Sequence, residues 1–304
     1  MKKEKKMPEV KRTEILFLYD VQNANPNGDP SDENKPRIDE ETGINIVTDV
    51  RLKRTVRDYF QNFLGYDGKN GKDIFVRQTN VGDDPEKGLN DAKGRAKSFD
   101  NNPDNIFNQC IDIRLFGGVI PITTGKSKDS SITLTGPVQF KIGHSLHKVK
   151  TLYIKGTGAF ASKAGAEQNT FREEYILPYS LIAFYGIFNE NAAKHSKMTT
   201  EDLELLKEAL WNGTKQLITR SKFEHNPRML LTITHDDPNC FIGELDHYIE
   251  LNSKVNDEEI RNLADFELDL SKLNEKFNSL KLIGKKFAIE IKADPNLKLK
   301  NWNQ

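Results

Sequence analysis

The residues best suited to chemistry stand near the start of the chain, in Asn23-Ala24-Asn25-Pro26-Asn27-Gly28-Asp29-Pro30. The carboxamides of Asn23, Asn25 and Asn27 offer neutral donors and acceptors from a turn-rich loop. Further on comes Thr48-Asp49-Val50-Arg51-Leu52-Lys53-Arg54-Thr55-Val56-Arg57-Asp58, which reads as a helix with a basic outer surface. Lys53 and Arg57 are four apart and share one flank; Arg51 and Arg54 lie opposite the apolar stripe. A helix start also presents unpaired N–H groups. A second basic cluster, Arg220-Ser221-Lys222, is followed by Arg228 just after Pro227. Loop, helix and cluster together make a seat for a polyanion. The plain alternative is a solvated helix face with an Arg54–Asp58 pair, worth only about 0.2–0.5 kcal/mol. Under the polyanion reading, Lys53 and Arg57 are expected to be removable without unfolding the protein.

Other constellations fail on spacing. Thr124-Gly125-Lys126-Ser127 resembles the end of a phosphate-binding loop, but Ile120 stands where the first glycine is required, and the following residues read as extended. Asp29, Asp32, Glu33 and Asp39 are clustered loop acids; counted from Asp29, a calcium loop would need glycine where Asn34 stands. His144 and His147 flank Ser145 with no nucleophile elbow or neighbouring carboxylate. His235, Cys240 and His247 lack the paired spacing of a zinc site. No cofactor is expected.

These residues need elements to hold them. Glu14–Val21 reads as a strand, followed by the polar loop 22–45 and a helix from Thr48 or Asp49 to about Leu64. Leu52, Val56, Tyr59, Phe60 and Phe63 form the buried stripe of that helix. Residues 65–105 read as a largely irregular insertion, and Ile106–Phe116 as a short helix stopped by Gly117-Gly118. Ile132–Ile142 reads as a strand, and Gly143–Phe171 as a basic excursion shaped as a hairpin. Glu174–Asn189 reads as a strand, with Pro178 indicating an edge or a bulge. Thr200–Thr219 reads as a helix with Leu203, Leu206, Leu210 and Leu217 on one side, and Met229–His235 as the last core strand. The order strand, helix, strand, strand, helix, strand predicts an α+β fold, a ferredoxin-like or RRM-like βαββαβ palm. One domain over residues 1–304 is expected. Its insertions are 66–131 (finger-like) and 143–172 (thumb-like), and 244–304 extends the palm.

Net charge is zero over 304 residues, so bulk attraction to nucleic acid is not expected. The distribution is uneven. Arg114–Arg172 carries a balance of +7 and His235–Ser271 a balance of −9. This polarity has two readings: a solvated surface with composition drift, or an anion-binding face and an acidic face that meets a basic partner, including another copy of the chain. Two distant cysteines, Cys110 and Cys240, indicate a reduced interior. The basic start, Met1-Lys2-Lys3-Glu4-Lys5-Lys6, is not followed by a signal-peptide apolar run, and no stretch approaches a membrane span. A cytoplasmic protein with no membrane partner is expected.

The run Leu18–Pro30 joins with Pro36-Arg37-Ile38-Asp39, Val47–Arg54 and Asp112-Ile113-Arg114-Leu115-Phe116-Gly117 in a recognisable pattern. Together they resemble the backbone subunit of type I-B CRISPR Cascade complexes, in the Cas-seven superfamily, over about residues 14–240. The resemblance implies a hand-shaped, non-catalytic subunit whose copies stack head to tail along one guide RNA. Each thumb folds over the guide and displaces a base at intervals. The implied partners are the crRNA, the target DNA strand paired to it, further copies of the chain and other Cascade subunits. Lys53, Arg57 and Arg54 match the first-helix phosphate contacts, and Asn23–Gly28 match the loop after the first strand. Gly143–Phe171 matches the thumb by position. The expected RNA-facing set is Asn23, Asn25, Asn27, Arg51, Lys53, Arg54, Arg57, Gln139, His144, Lys163, Arg220, Ser221, Lys222 and Arg228. RRM-type base stacking on central-strand aromatics is not matched, since Phe17 and Tyr19 read as core. Phosphates are then read by the protein and sequence by base pairing.

Two other readings compete. Related type III backbones cleave the paired RNA with a loop aspartate and a metal ion, for which Asp29 or Asp32 would be the candidate. A single-stranded RNA chaperone would act alone.

Overall fold

The computed structural model describes residues 11–122, 130–157 and 171–302. At its centre the strand Thr13–Ala24 pairs antiparallel with the long strand Phe171–Phe188 on one side and with His225–His235 on the other. Phe287–Ala293 extends the sheet beyond His225–His235. Gly143–Lys148, Ile44–Val47 and Ile38–Asp39 extend it beyond the long strand. The result is a mixed α+β fold with a main antiparallel sheet.

The first strand is apolar without alternation because both of its faces are covered. Ile15, Phe17, Tyr19 and Val21 pack under the helices Asp49–Phe63 and Thr200–Glu208. Leu16 and Leu18 pack against Leu181, Leu231, Ile242, Leu245, Phe266 and Phe277. The last four come from the segment after the fourth core strand. That segment holds a small sheet of Glu250–Ser253, Phe266–Asp269 and Leu299–Lys300 and the helix Ser271–Leu282. Burial on both faces removes the alternation that a half-exposed strand shows. The second helix continues into a wide turn with π-type bonding, Ala209–Gly213. A Cβ on Gly213 would lie 3.0 Å from Tyr59 Cβ and 3.3 Å from the Thr55 carbonyl oxygen. Glycine therefore lets the two helical segments touch.

Several expectations change. Residues 65–105 are largely irregular, as expected, but they carry the helix Ala92–Lys97, the start of the helix Pro103–Gln109 and a core of their own. Phe75, Ala96, Phe99 and Ile106 join Ile113, Ile120 and Ile122 in a separate core. Its polar centre is buried Arg95, which donates to Asp73 at 3.0 Å and to the Ile74 and Phe75 carbonyls at 2.8 and 3.1 Å. The expected helix 106–116 is two helices, broken at Cys110, whose backbone is extended. Ser130–Thr135 pairs with Gly117–Ile122, whereas Val138–Phe140 joins the long strand. Gly143–Lys148 is central sheet, not excursion. The hairpin arms proper are Leu152–Thr157 and the start of the long strand, with Thr157 opposite Phe171. Pro178 lies in a central strand rather than an edge. The register passes from Gln22↔Tyr179 to Ala24↔Leu177, and Pro178 falls between, where no N–H is demanded. Phe63 is exposed, stacked on Tyr59, and Leu217 lies beyond the second helix.

Candidate nucleic-acid interface

The carboxamides of the loop after the first strand divide by role. Asn25 is buried; its N–H donates to the Ser221 carbonyl at 2.7 Å, and its Nδ2 to the Asn34 and Tyr175 carbonyls at 2.6 and 3.4 Å. Asn27 Oδ1 accepts from both the N–H and the Oγ1 of Thr48, each at 2.9 Å. Thr48 therefore opens the first helix with its hydroxyl turned to the loop instead of capping the helix itself. Asn25 and Asn27 bolt the loop to the turn at Ser221 and to the helix start. Asn23 remains on the surface, in left-handed backbone (φ 48°).

The expected cations also divide. Lys53 donates to Asp49 at 2.8 Å, and Arg57 to Asp112 at 3.0 Å, both over the Phe116 ring. Asp112 is fully buried and also accepts the Phe75 and Val76 N–H groups at 2.8 and 3.0 Å. Arg57 thereby ties the helix to the following insertion, whereas the Lys53 pair lies within the helix and only its Phe116 contact reaches the insertion. Both stand in ion pairs rather than open, and so does Arg228, which bridges Asp20 at 2.8 Å and Asp294 at 2.5 Å. Arg54 is exposed and forms the plain Arg54–Asp58 pair at 2.6 Å. Arg220 is paired with Glu174. Gln139 is exposed, with Nε2 donating to the Gly136 carbonyl at 2.8 Å. His144 is exposed on its strand. Lys163 lies outside the described residues, as does Thr124–Ser127.

Arg51 and Lys222 differ from all of these. Neither has a carboxylate within 4.0 Å among the described residues. Arg51 Nη2 meets Thr55 Oγ1 at 3.2 Å, and Lys222 Nζ donates to the Asn25 carbonyl at 3.0 Å. Arg51 was expected on the outer surface, yet its guanidinium is half-buried, and burial lowers its affinity for the proton. Burial, and then the Arg51 charge, bring the Lys222 ammonium down to about 8. Buried His225 is held down to about 3 by burial first, then by Lys222 and Arg51. Its Nε2 has no hydrogen-bond partner, and its ring lies 5.7 Å from that of Tyr19. Two mutually repelling cations with no carboxylate within 4.0 Å among the described residues, beside a buried neutral imidazole, form a site that an anion would complete. His225 was missed from the sequence; its only cue was a place three residues after Lys222.

The loop acids are engaged. Asp29 accepts from the Ser31 N–H and Oγ at 3.0 and 2.6 Å and pairs with Arg37 at 2.6 Å; the Ser31 bonds hold its carboxyl below the usual range. Asp32 pairs with Lys35 at 2.7 Å. Among the described residues no three His, Cys, Asp or Glu side chains are grouped to hold a metal. No helix among them is long and apolar enough to cross a membrane.

Comparisons with known proteins agree with one another. The family described as "CRISPR-associated protein Cas7" matches residues 11–271. A protein of that same description from Haloferax volcanii is 30% identical over 291 residues, covering 88% of this chain and 83% of the relative. A chain of a solved "CRISPR RNA-guided surveillance complex" superposes with a TM-score of 0.53 at 12% identity, covering 96% of this chain and 95% of the other. A chain of a "CRISPR RNA-guided surveillance complex, pre-nicking" gives 0.51 at 11% identity, with 96% of each covered. With the pattern running from the asparagine loop through the first helix, the chain belongs to the Cas7 family of CRISPR-associated proteins.

Proposed function

We propose that this chain is the non-catalytic, crRNA-binding backbone subunit of a type I-B Cascade, assembling in successive copies along the guide in the cytoplasm. The observation that carries this reading is the carboxylate-free cluster of Arg51, Lys222 and His225, braced by Asn25. It suits a phosphodiester because it supplies charge and donors without base-specific geometry. The fold supports the same reading. The strand order His225–His235, Thr13–Ala24, Phe171–Phe188, Gly143–Lys148 is that of a ferredoxin-like palm. Among the described residues, both faces of the central strands are covered, by helices on one side and by residues 242–302 on the other, so those strands offer no face on which bases could stack. Sequence is then left to pairing between guide and target strand. In this reading 66–131 is the finger, the hairpin after Lys148 the thumb, and 244–304 a palm extension. Asp29 and Asp32 are spent on Arg37, Ser31 and Lys35, so nothing favours a nuclease role for them.

The test is Arg51→Ala with Lys222→Ala in salt titrations of RNA binding. If each cation releases one counterion, the log–log salt slope shrinks by about two. Affinity should drop equally for unrelated RNA sequences, and thermal stability should not fall, since no ion pair is broken. Unchanged affinity and slope would refute the phosphate seat.

A further inference from the structure

Where the hairpin leaves the sheet, Tyr153 and Tyr175 are direct cross-strand partners. Their ring centroids are 5.1 Å apart at an interplanar angle of 40°. Lys35 Nζ lies 5.1 Å from the Tyr175 ring centroid, and the Tyr175 hydroxyl donates to Glu33 at 3.0 Å. Tyr175 is thereby fixed from two sides. Tyr153 is 46% exposed. The two rings line a cleft of about 650 Å³ shared with Asp29, Asp32, Lys35, Arg37 and Thr48. The cleft joins the cation cluster through Asn25, which donates to the Tyr175 carbonyl and accepts from Lys222, and through Thr48, whose carbonyl accepts from the Arg51 N–H at 3.1 Å.

We propose that Tyr153, backed by Tyr175, is a stacking platform for one nucleobase of the bound RNA. The proposal rests on the RNA-binding reading above. Tyr153 offers exposed ring surface, and the cleft sets the charged Asp29, Asp32, Lys35 and Arg37 beside the apolar Pro36, Ile38 and Ile46. A flat ligand that is apolar on its faces and polar at its edges matches both parts of that lining. A base brings a π-face to the ring and edge donors and acceptors to that lining. Asp29 and Asp32, though paired with Arg37 and Lys35, keep carboxylate lone pairs that can accept from base amino groups, while phosphates are drawn to the unpaired charges of Arg51 and Lys222. Stacking is tolerant of base identity, so the platform agrees with a guide of variable sequence. A cation held over Tyr175 stiffens the pair at little entropic cost on binding.

The experiment uses the full chain and RNAs carrying one fluorescent aminopurine base, moved position by position. In wild-type complexes one position per subunit footprint should be quenched. Tyr153→Phe keeps the ring and should keep the quench. Tyr153→Leu should lose it and weaken RNA binding by about 5- to 150-fold, the equivalent of about 1–3 kcal/mol per stacked base. Melting curves of both variants should match wild type, because Tyr153 is half in solvent. If wild type binds RNA in a salt-dependent way but no position responds to Tyr153→Leu, the platform is refuted while the backbone reading stands. If Tyr153→Leu leaves RNA quenching intact and only lowers the number of copies on long RNA, the cleft receives a neighbouring protein segment and the proposal is overturned. If wild type binds no RNA, the functional reading falls, and the platform with it.

Discussion

Arg57 and Lys222 carry the same charge and meet opposite environments. Arg57 neutralises fully buried Asp112, so Arg57→Ala leaves an uncompensated buried carboxylate. Urea unfolding should show a loss of about 3–5 kcal/mol. Adding Asp112→Asn should recover part of it; an Arg57→Ala protein as stable as wild type would contradict the structural role. Lys222 has no such partner. Its folded value of about 8 lies below the ordinary 10.5. The unfolded chain holds more protons between those limits, so the free protein should gain stability as pH rises across them. A bound phosphate favours the ammonium, so RNA affinity should move the other way, falling above pH 8 by up to about tenfold per pH unit for one linked proton. Lys222→Met should flatten both slopes, and binding isotherms from pH 7 to 10 check this. The sequence could not separate the two cations, because what distinguishes them is distant. Asp112 is 55 residues from Arg57, and Asp20 is 208 residues from Arg228. Lys53 with Asp49, and Arg54 with Asp58, were within reach of a spacing argument.

The first strand and first helix were legible at the element scale because unbroken apolar runs and helical spacing survive without tertiary help. The irregular course of 65–105 was legible, but its separate core was not. Its core residues are irregularly spaced, and buried Arg95 satisfies backbone carbonyls that no periodic signal reports. The strand Gly143–Lys148 was hidden by its basic composition; its buried positions Gly143, Ser145 and His147 are not hydrophobic. The hairpin was foreseen, and its arms, paired from Leu152↔Ile176 to Thr157↔Phe171, bracket residues 158–170, which lie outside the described residues. Replacing 158–170 by a two-residue turn should leave the melting temperature within a few degrees, because the arms stay paired. It should still reduce RNA-dependent assembly of successive copies. Size measurement of the RNA complexes decides this; undiminished assembly would remove the thumb role from that segment.

The whole molecule is layered: helices, sheet, then the segment after His235. Five of the eleven acids in the run His235–Ser271 pair with lysines elsewhere in the chain. Asp236 pairs with Lys11, Asp237 with Lys285, Asp246 with Lys141, Glu250 with Lys272 and Glu267 with Lys300. These pairs lower the charge that the sequence balance assigned to an acidic face without removing it. Association of copies must draw on the RNA and on surfaces other than a bulk charge dipole. A heterologous contact between unlike surfaces of successive copies grows with its template and does not close into a dimer. Native mass measurement of wild-type protein on RNAs of increasing length tests this most directly. The account predicts a copy number that climbs in regular steps with RNA length, while Arg51→Ala with Lys222→Ala lowers occupancy at every length. One copy, or a constant two, at all lengths would contradict it.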